Sequence, residues 1–279
     1  MGLKPVEGIP CLFTNDKLIV FFYVDDIVVL FHPNNLAAHA EFEQKLRERY
    51  EIRCLGNLKW FLGIRVIRDE EQGKVWLLQD SFIDKVATKF NLRQKRYPPT
   101  PMDEEPLGPS DEEPVAARTE EYQMLVGSLA FISCVTRPDT AKPQSVLSKY
   151  LQNPSQKHLA AVKRVWKFLI GTQWHAICAS ATEKGVNNYL IGAEPTIAAG
   201  IEPLFYGASD ASFADDPATR RSSYGYLFKL FGLPIDWKAT VLRSVIKSTP
   251  ETELMALSVL GVKWNGGSES SRRASLILS

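Results

Sequence analysis

The chain has 279 residues, 45% hydrophobic and 23% charged, proportions that predict a globular protein and exclude a disordered one. Its 33 Lys and Arg balance 32 Asp and Glu for a net charge of +1, so no overall field draws it to nucleic acid or to an acidic membrane, and any such contact must rest on local patches. The four cysteines, Cys11, Cys54, Cys134 and Cys178, form no C-x-x-C pair and no cluster with His; a reduced intracellular compartment, cytoplasmic or nuclear, is expected, with neither a zinc site nor a membrane span.

Taken in chain order, residues 18 to 31, LIVFFYVDDIVVLF, predict a β-hairpin. Ile19 to Val24 and Ile27 to Phe31 are β-branched or aromatic apart from Leu30, and two buried strands are expected around a tight Asp25-Asp26 turn. Leu36 to Tyr50 carries Phe42, Leu46 and Tyr50 at helical spacing with a charged outer face. A second hairpin is expected from KWFLGIRVIRD and KVWLLQD across EEQG, and Ser81 with Asp84 gives an S-x-x-D start for a helix over SFIDKVATKF. Residues 97–120, rich in proline and acid, read as an extended, exposed linker.

The middle third reads as helical: EYQMLVGSLAFIS and AKPQSVLSKYLQ around a TRPD break, then SQKHLAAVKRVWKFLIGT with Leu159, Val162, Val165, Trp166 and Leu169 on one face. His158 and Trp166 are expected to be packing residues. From about Leu204 to Val262, LFYGASDASFADD, SSYGYLFKLFG and PIDWKAT predict three strands, followed by a helix that Thr249 can cap with Pro250 in its first turn. The end of the chain, 263–279, shows no period and reads as a loose tail.

Asp25 and Asp26 are the first candidates for chemistry. Carboxylates presented by a rigid hairpin can hold the pair of divalent cations that activates an attacking hydroxyl and stabilises a leaving phosphate oxygen; the bland alternative is a hydrophilic turn. Asp210, with Asp215 and Asp216 nearby, and Glu253 are the second set, with a solvated turn and an exposed helix position as their alternatives. No Ser-His-Asp, Cys-His or glycine-rich phosphate motif is present.

The run FFYVDDIVVL resembles the Y-x-D-D box of reverse transcriptases, and LGNLKWFLGIRV, VWLLQDSFIDKVATKFNL, TPM, YQMLVGSLAFISCVTRPD, VLSKYLQNPSQKHLAAVKRVWKFLIGT and SDASFADDPATRRSSYGYLF follow in the order seen in copia-type retrotransposon Pol polyproteins. The resemblance covers roughly residues 10 to 260 and implies an α+β fold. Residues 1–96 would form the later reverse transcriptase palm and thumb, 97–120 the linker, 121–175 a helical connection and 200–262 a partial ribonuclease H-like domain. It implies RNA-directed DNA polymerase activity with attached ribonuclease H, Mg2+ or Mn2+ as cofactor, and an RNA template, a DNA primer and an RNA/DNA hybrid as partners.

By the same resemblance Asp25 and Asp26 are metal-binding and catalytic, and Tyr23 lies near the primer end. Asp210 and Glu253 share the ribonuclease H metals, with Glu251 as rival to Glu253 because it lies two residues away. The apolar neighbours Leu254, Met255 and Leu257 favour Glu253. Arg220 and Arg221 match a basic pair suited to a phosphate backbone, or else form a charged turn.

Departures from the family pattern bear on activity. Only about 17 residues precede the hairpin, too few for the family's earlier palm aspartate and fingers, and the third ribonuclease H acid has no counterpart after Trp264, where only Glu269 is offered. Thr240 and Leu242 stand where the family has Lys and Gln, and Pro250 where it has Thr. The expectation is a fragment inactive in isolation; the alternative is a non-catalytic remnant that binds nucleic acid or a partner.

Overall fold

The computed structural model describes residues 2–103, 105–180, 205–212, 219–230, 233–242, 248, 251–256, 258 and 275–278. They form a mixed α and β structure of the α+β class, with three four-stranded sheets, five α-helices and a further helical stretch at 251–256 among the described residues. The chain divides into two compact units, Met1–Lys59 and Trp60–Ser279. Among the described residues no helix is long and apolar enough to cross a membrane.

The first unit is an antiparallel sheet with one helix. Strands β1 (Lys4–Pro5), β2 (Leu12–Thr14), β3 (Leu18–Tyr23) and β4 (Asp26–Phe31) lie in sequence order, and β3 pairs with β4 from Leu18↔Phe31 to Tyr23↔Asp26. Because side chains alternate across a strand, Leu18 and Val20 share a face with Val29 and Phe31. Helix α1 (Leu36–Arg47) closes that face with Phe42, backed by Ala38 and Leu46 four residues to either side.

The expectation that both hairpin strands are buried is corrected. Leu18, Val20 and Val28 are buried, whereas Ile19, Phe22, Tyr23, Ile27 and Leu30 are exposed. Burial varies along the hairpin rather than by face: Leu18 and Val20 pack with Phe42 of α1, Phe22 and Ile27 share their face but stand nearer the turn, and Val28 is buried on the opposite face. Tyr50 also falls outside α1 and is exposed. Chemically apolar positions need not be inside, and periodicity alone does not say which face finds a partner.

In the second unit, β5 (Trp60–Phe61), β6 (Ile64–Asp69) and β7 (Lys74–Leu78) form a meander completed by β8 (Ile177–Ser180), antiparallel to β7. The β5–β6 turn places Leu62 at φ 50° and Gly63 at φ 78°, the left-handed pair of a type I′ hairpin. Helix α2 (Asp80–Lys89) starts one residue before the expected S-x-x-D signal; its N-cap is Gln79 and has no side-chain cap. Asp84, expected to close that motif, instead meets Arg93 at 2.6 Å.

The core of this unit lies between α3 (Ala116–Val135) and α5 (Gln156–Gly171). Tyr122, Leu125, Leu129 and Ile132 recur at helical spacing on α3 and, like Val162, Val165, Trp166 and Leu169 on α5, they are fully buried. The Trp166 indole N–H donates to the Leu125 carbonyl at 3.1 Å, and the Tyr122 hydroxyl to the Leu147 carbonyl at 2.7 Å, so the polar ends of both rings are satisfied.

Between these helices the TRPD break is a joint. Arg137, 2% exposed, donates to Asp139 at 2.7 and 2.9 Å and to the Thr172 carbonyl at 3.1 Å, tying the end of α3 to the end of α5. Helix α4 (Ala141–Leu147) follows the break.

The described residues of 97–115 are without helix or strand and mostly exposed, but the last part of the expected linker is helical, since α3 begins at Ala116. The segment is also pinned rather than loose: Leu107 is buried, and the Tyr150 hydroxyl donates to its carbonyl at 2.6 Å.

A third sheet has the order β11 (Leu233–Val241), β10 (Ser223–Leu230), β9 (Phe205–Ser212), β12 (Ser275–Leu278). The first three are the expected successive strands, and each pairs antiparallel with the next. The stretch read as a loose tail supplies β12, which runs parallel to β9 from Ser275↔Tyr206 to Leu278↔Ser209. Trp237 donates its indole N–H to the Ser133 carbonyl at 2.6 Å, and Lys142 donates to the Ser223 hydroxyl at 2.6 Å, which fixes this sheet to α3 and α4.

Candidate functional site

The acidic pair sits at the end of the β3–β4 hairpin, one residue out of the expected register. Tyr23 and Asp26 are the last cross-strand pair, so the two-residue turn is Val24-Asp25, and Asp26 already belongs to β4. Val24 has φ 56° while Asp25 has no positive φ. A left-handed first residue alone is the type II′ pattern, which suits the twist of a hairpin but is strained for a β-branched side chain.

That geometry brings Tyr23, Asp25 and Asp26 together, all exposed, Tyr23 at 58%. Neither carboxylate is in an ion pair or hydrogen bond among the described residues. Their four oxygens are the hard donors a divalent cation takes, and the turn presents them without a competing cation. Among the described residues, however, no group of three or more His, Cys, Asp or Glu side chains gathers where it could hold a metal.

The second set lies in the second unit. Asp210 is on β9, exposed, in register with Gly225 of β10. Residues 251–256 are helical, held by fully buried Thr252, whose hydroxyl donates to the Ser248 carbonyl at 3.0 Å and lies 3.3 Å from the Ser222 hydroxyl just before β10. Glu251 and Glu253 both point outward. The packing argument that favoured Glu253 is corrected: Leu254 and Met255 are exposed, and Thr252 and Ala256 are the buried residues of this turn. Arg220 and Arg221 are exposed ahead of β10, Arg220 at φ 54°. Thr249, Pro250, Asp215, Asp216 and Glu269 lie outside the described residues.

One charged arrangement was not anticipated from sequence. Arg118 of α3 and Lys157 and Arg164 of α5 face the acidic residues of the 97–115 segment, at 2.6 Å from Glu112, 2.5 Å from Glu105 and 3.0 Å from Asp103. The available signal was the alternation of a proline-acid run with a basic amphipathic helix.

Residues 4–104 match the family model described as Reverse transcriptase (RNA-dependent DNA polymerase). The relatives narrow this. The chain is 29% identical over 267 residues to the Retrovirus-related Pol polyprotein from transposon TNT 1-94 of Nicotiana tabacum, covering 90% of this chain and 18% of that protein. It is 27% identical over 241 residues to the Putative transposon Ty5-1 protein YCL074W of Saccharomyces cerevisiae, covering 86% and 71%. It is also 39% identical over 137 residues to the Secreted RxLR effector protein 161 of Plasmopara viticola, covering 49% and 84%. No solved structure matches. The chain carries a copia-type retrotransposon reverse transcriptase region and spans about a fifth of the tobacco polyprotein it matches.

Proposed function

We propose that the chain is a segment of a retrotransposon RNA-directed DNA polymerase with an attached ribonuclease H-like region, and that alone it performs neither reaction. The observation that carries this is the placement of Tyr23, Asp25 and Asp26 on one hairpin end inside the stretch that matches the reverse transcriptase model. Asp25 and Asp26 would hold Mg2+ or Mn2+, which supplies the activation of the primer hydroxyl, while Tyr23 supports the primer end. In the second unit, Asp210 and Glu253 would serve hydrolysis of the RNA strand of a hybrid, with Arg220 and Arg221 against its phosphates.

Inactivity of the isolated chain follows from ligand number. Two-metal transfer takes carboxylates from several segments, and the hairpin offers one adjacent pair. The test is a chimera in which residues 4–104 replace the matching stretch of the tobacco relative's polymerase, assayed by primer extension on an RNA template. The chimera should extend the primer, Asp25→Asn should abolish extension by at least about a hundredfold as expected for loss of a metal ligand, and the isolated chain should show none. A folded but inactive chimera, or extension by the isolated chain that Asp25→Asn abolishes, would each overturn a part of this reading.

A further inference from the structure

The described residues between 97 and 112 run antiparallel along α5. Tyr97 lies so close to Gly171, at the end of that helix, that a Cβ there would come within 2.6 Å of the Tyr97 Cβ. Further along, Thr100 accepts from Arg164 at 3.2 Å and Asp103 pairs with the same guanidinium. Glu105 then meets Lys157, and the Gly108 carbonyl accepts from His158 at 2.9 Å. Finally Glu112 reaches the first turn of α5, accepting from the Gln156 backbone N–H at 3.3 Å while it pairs with Arg118. Lys157 and Arg164 are seven residues apart, hence on one face of α5, and this acidic strap lies over them.

Three features make the strap's carboxylates exchangeable, while its centre stays pinned at Leu107 and Gly108. Among the described residues no backbone–backbone hydrogen bond holds residues 98–113, and the prolines at 98, 99, 101, 106 and 109 leave few N–H groups to satisfy on release. Its outer ion pairs are open to solvent: the Lys157 and Glu105 side chains are 56% and 71% exposed, and those of Arg164 and Asp103 30% and 67%, so each contributes little to holding it down.

The third feature is unfinished pairing beneath the strap. Arg118 is 8% exposed, yet among the described residues its Nε has no hydrogen-bond partner, and neither has the Arg164 Nε. A carboxylate seated at a helix N-terminus beside a buried guanidinium occupies an anion site. A phosphate, with more acceptor oxygens than a carboxylate, would satisfy donors that Glu112 leaves idle.

We propose that the carboxylates of the 97–115 strap, Asp103, Glu105 and Glu112, are displaceable internal stand-ins for a nucleic-acid backbone, covering a phosphate-binding row made by Arg118, Lys157 and Arg164. The choice of nucleic acid as the partner rests on the reverse-transcriptase reading. The near-neutral chain thus carries a cationic track that its own acids neutralise until a polyanion competes for it.

The experiment is fluorescence anisotropy with a short labelled single-stranded DNA and no metal or nucleotide. The variant Asp103→Asn/Glu105→Gln/Glu112→Gln should bind it about tenfold or more tightly than the unmodified chain, with a steeper salt dependence reflecting the uncovered cations. Adding Lys157→Gln and Arg164→Gln should remove the gain. In the unmodified chain the same DNA should accelerate cleavage by a glutamate-specific protease at Glu105 and Glu112. A variant that keeps its circular dichroism spectrum but binds no more tightly overturns the proposal. If that variant fails to fold, unchanged protease cleavage of the unmodified chain overturns it instead. Because no polymerisation is measured, failure here leaves the polymerase reading standing, and an inactive chimera leaves this result standing.

Discussion

His158 shows how one residue couples a helix cap to the strap. It is 2% exposed, stacked on Tyr150 with ring centroids 3.9 Å apart and edge-on to Tyr122 at 6.4 Å. The Ser155 N–H donates to Nδ1 at 2.9 Å, and the Ser155 hydroxyl accepts from the His158 N–H, which makes a capping box with His in the third position. Nε2 faces the Gly108 carbonyl and must donate to it, so both bonds require the neutral Nε2–H tautomer. Burial is the largest influence and lowers the imidazole pKa, with Lys157 acting in the same direction; the Gly108 bond and Glu112 raise it. A histidine depressed in the folded state leaves stability unaffected above its ordinary value of about 6.5 and costs stability as pH falls below it, until the native group also protonates. His158→Gln can keep the capping box but cannot titrate. It should cost about 1–2 kcal/mol at neutral pH through the lost Gly108 bond and Tyr150 stacking. Between pH 7.5 and 5 it should lose less stability than the parent in urea unfolding. An equal acid loss in both proteins would show that His158 does not carry this pH dependence.

At the scale of the element, the hairpin turn stores strain where the acids are presented. Val24 is 83% exposed and left-handed, so its side chain contributes almost no packing to offset a conformation that costs about 1–2 kcal/mol for a side chain with a Cβ. Val24→Gly removes that cost, while the freer unfolded chain takes back about 0.4–1 kcal/mol. The expected result is a gain of roughly 0.5–1 kcal/mol and slower hydrogen exchange at β3 and β4; faster exchange at both strands would contradict the turn described here. The hairpin itself was legible because the Leu18 to Phe31 run has strand composition on both sides of an acidic break, and α5 because Leu159 to Leu169 keep one face. The turn's register was not, because no Gly or Asn marks Val24. The start of α2 was misplaced because Ser81 and Asp84 mimic a cap that the chain does not use. The pinning of the strap was invisible because backbone carbonyls of Leu107 and Gly108 make it, and carbonyls carry no sequence signal. Each candidate acid could be named from its motif, but sequence could not say that Leu254 and Met255 face outward beside Glu253, since a short helix turn fits either rotation.

Across the whole molecule, the two compact units differ in what can hold them folded. In Met1–Lys59 the buried cluster is Leu18, Val20 and Phe42, flanked by partly buried residues such as Val29 and Phe31. In Trp60–Ser279 a single cluster joins Ile83 and Val86 of α2 to the α3 and α5 rows around Trp166 and Tyr122. Burying an apolar side chain of this size contributes about 1.5–3 kcal/mol, and a unit of roughly sixty residues buries a smaller fraction of its surface than a larger one. Opening free energy should therefore be lowest around the acidic hairpin and highest around the α3–α5 core. Native-state hydrogen exchange of the full chain at rising urea reads this directly: the amides of β3 and β4 should exchange through openings at least about 2 kcal/mol less costly than those of Leu125, Leu129, Val165 and Trp166, by the difference of a single well-buried side chain or more. Two sets of amides merging at one free energy would mean that the units open together, and the acids would then sit in a structure as stable as the core. Separate values would place the carboxylates of Asp25 and Asp26 on the part of the chain most easily rearranged, where an added segment has the least native structure to displace.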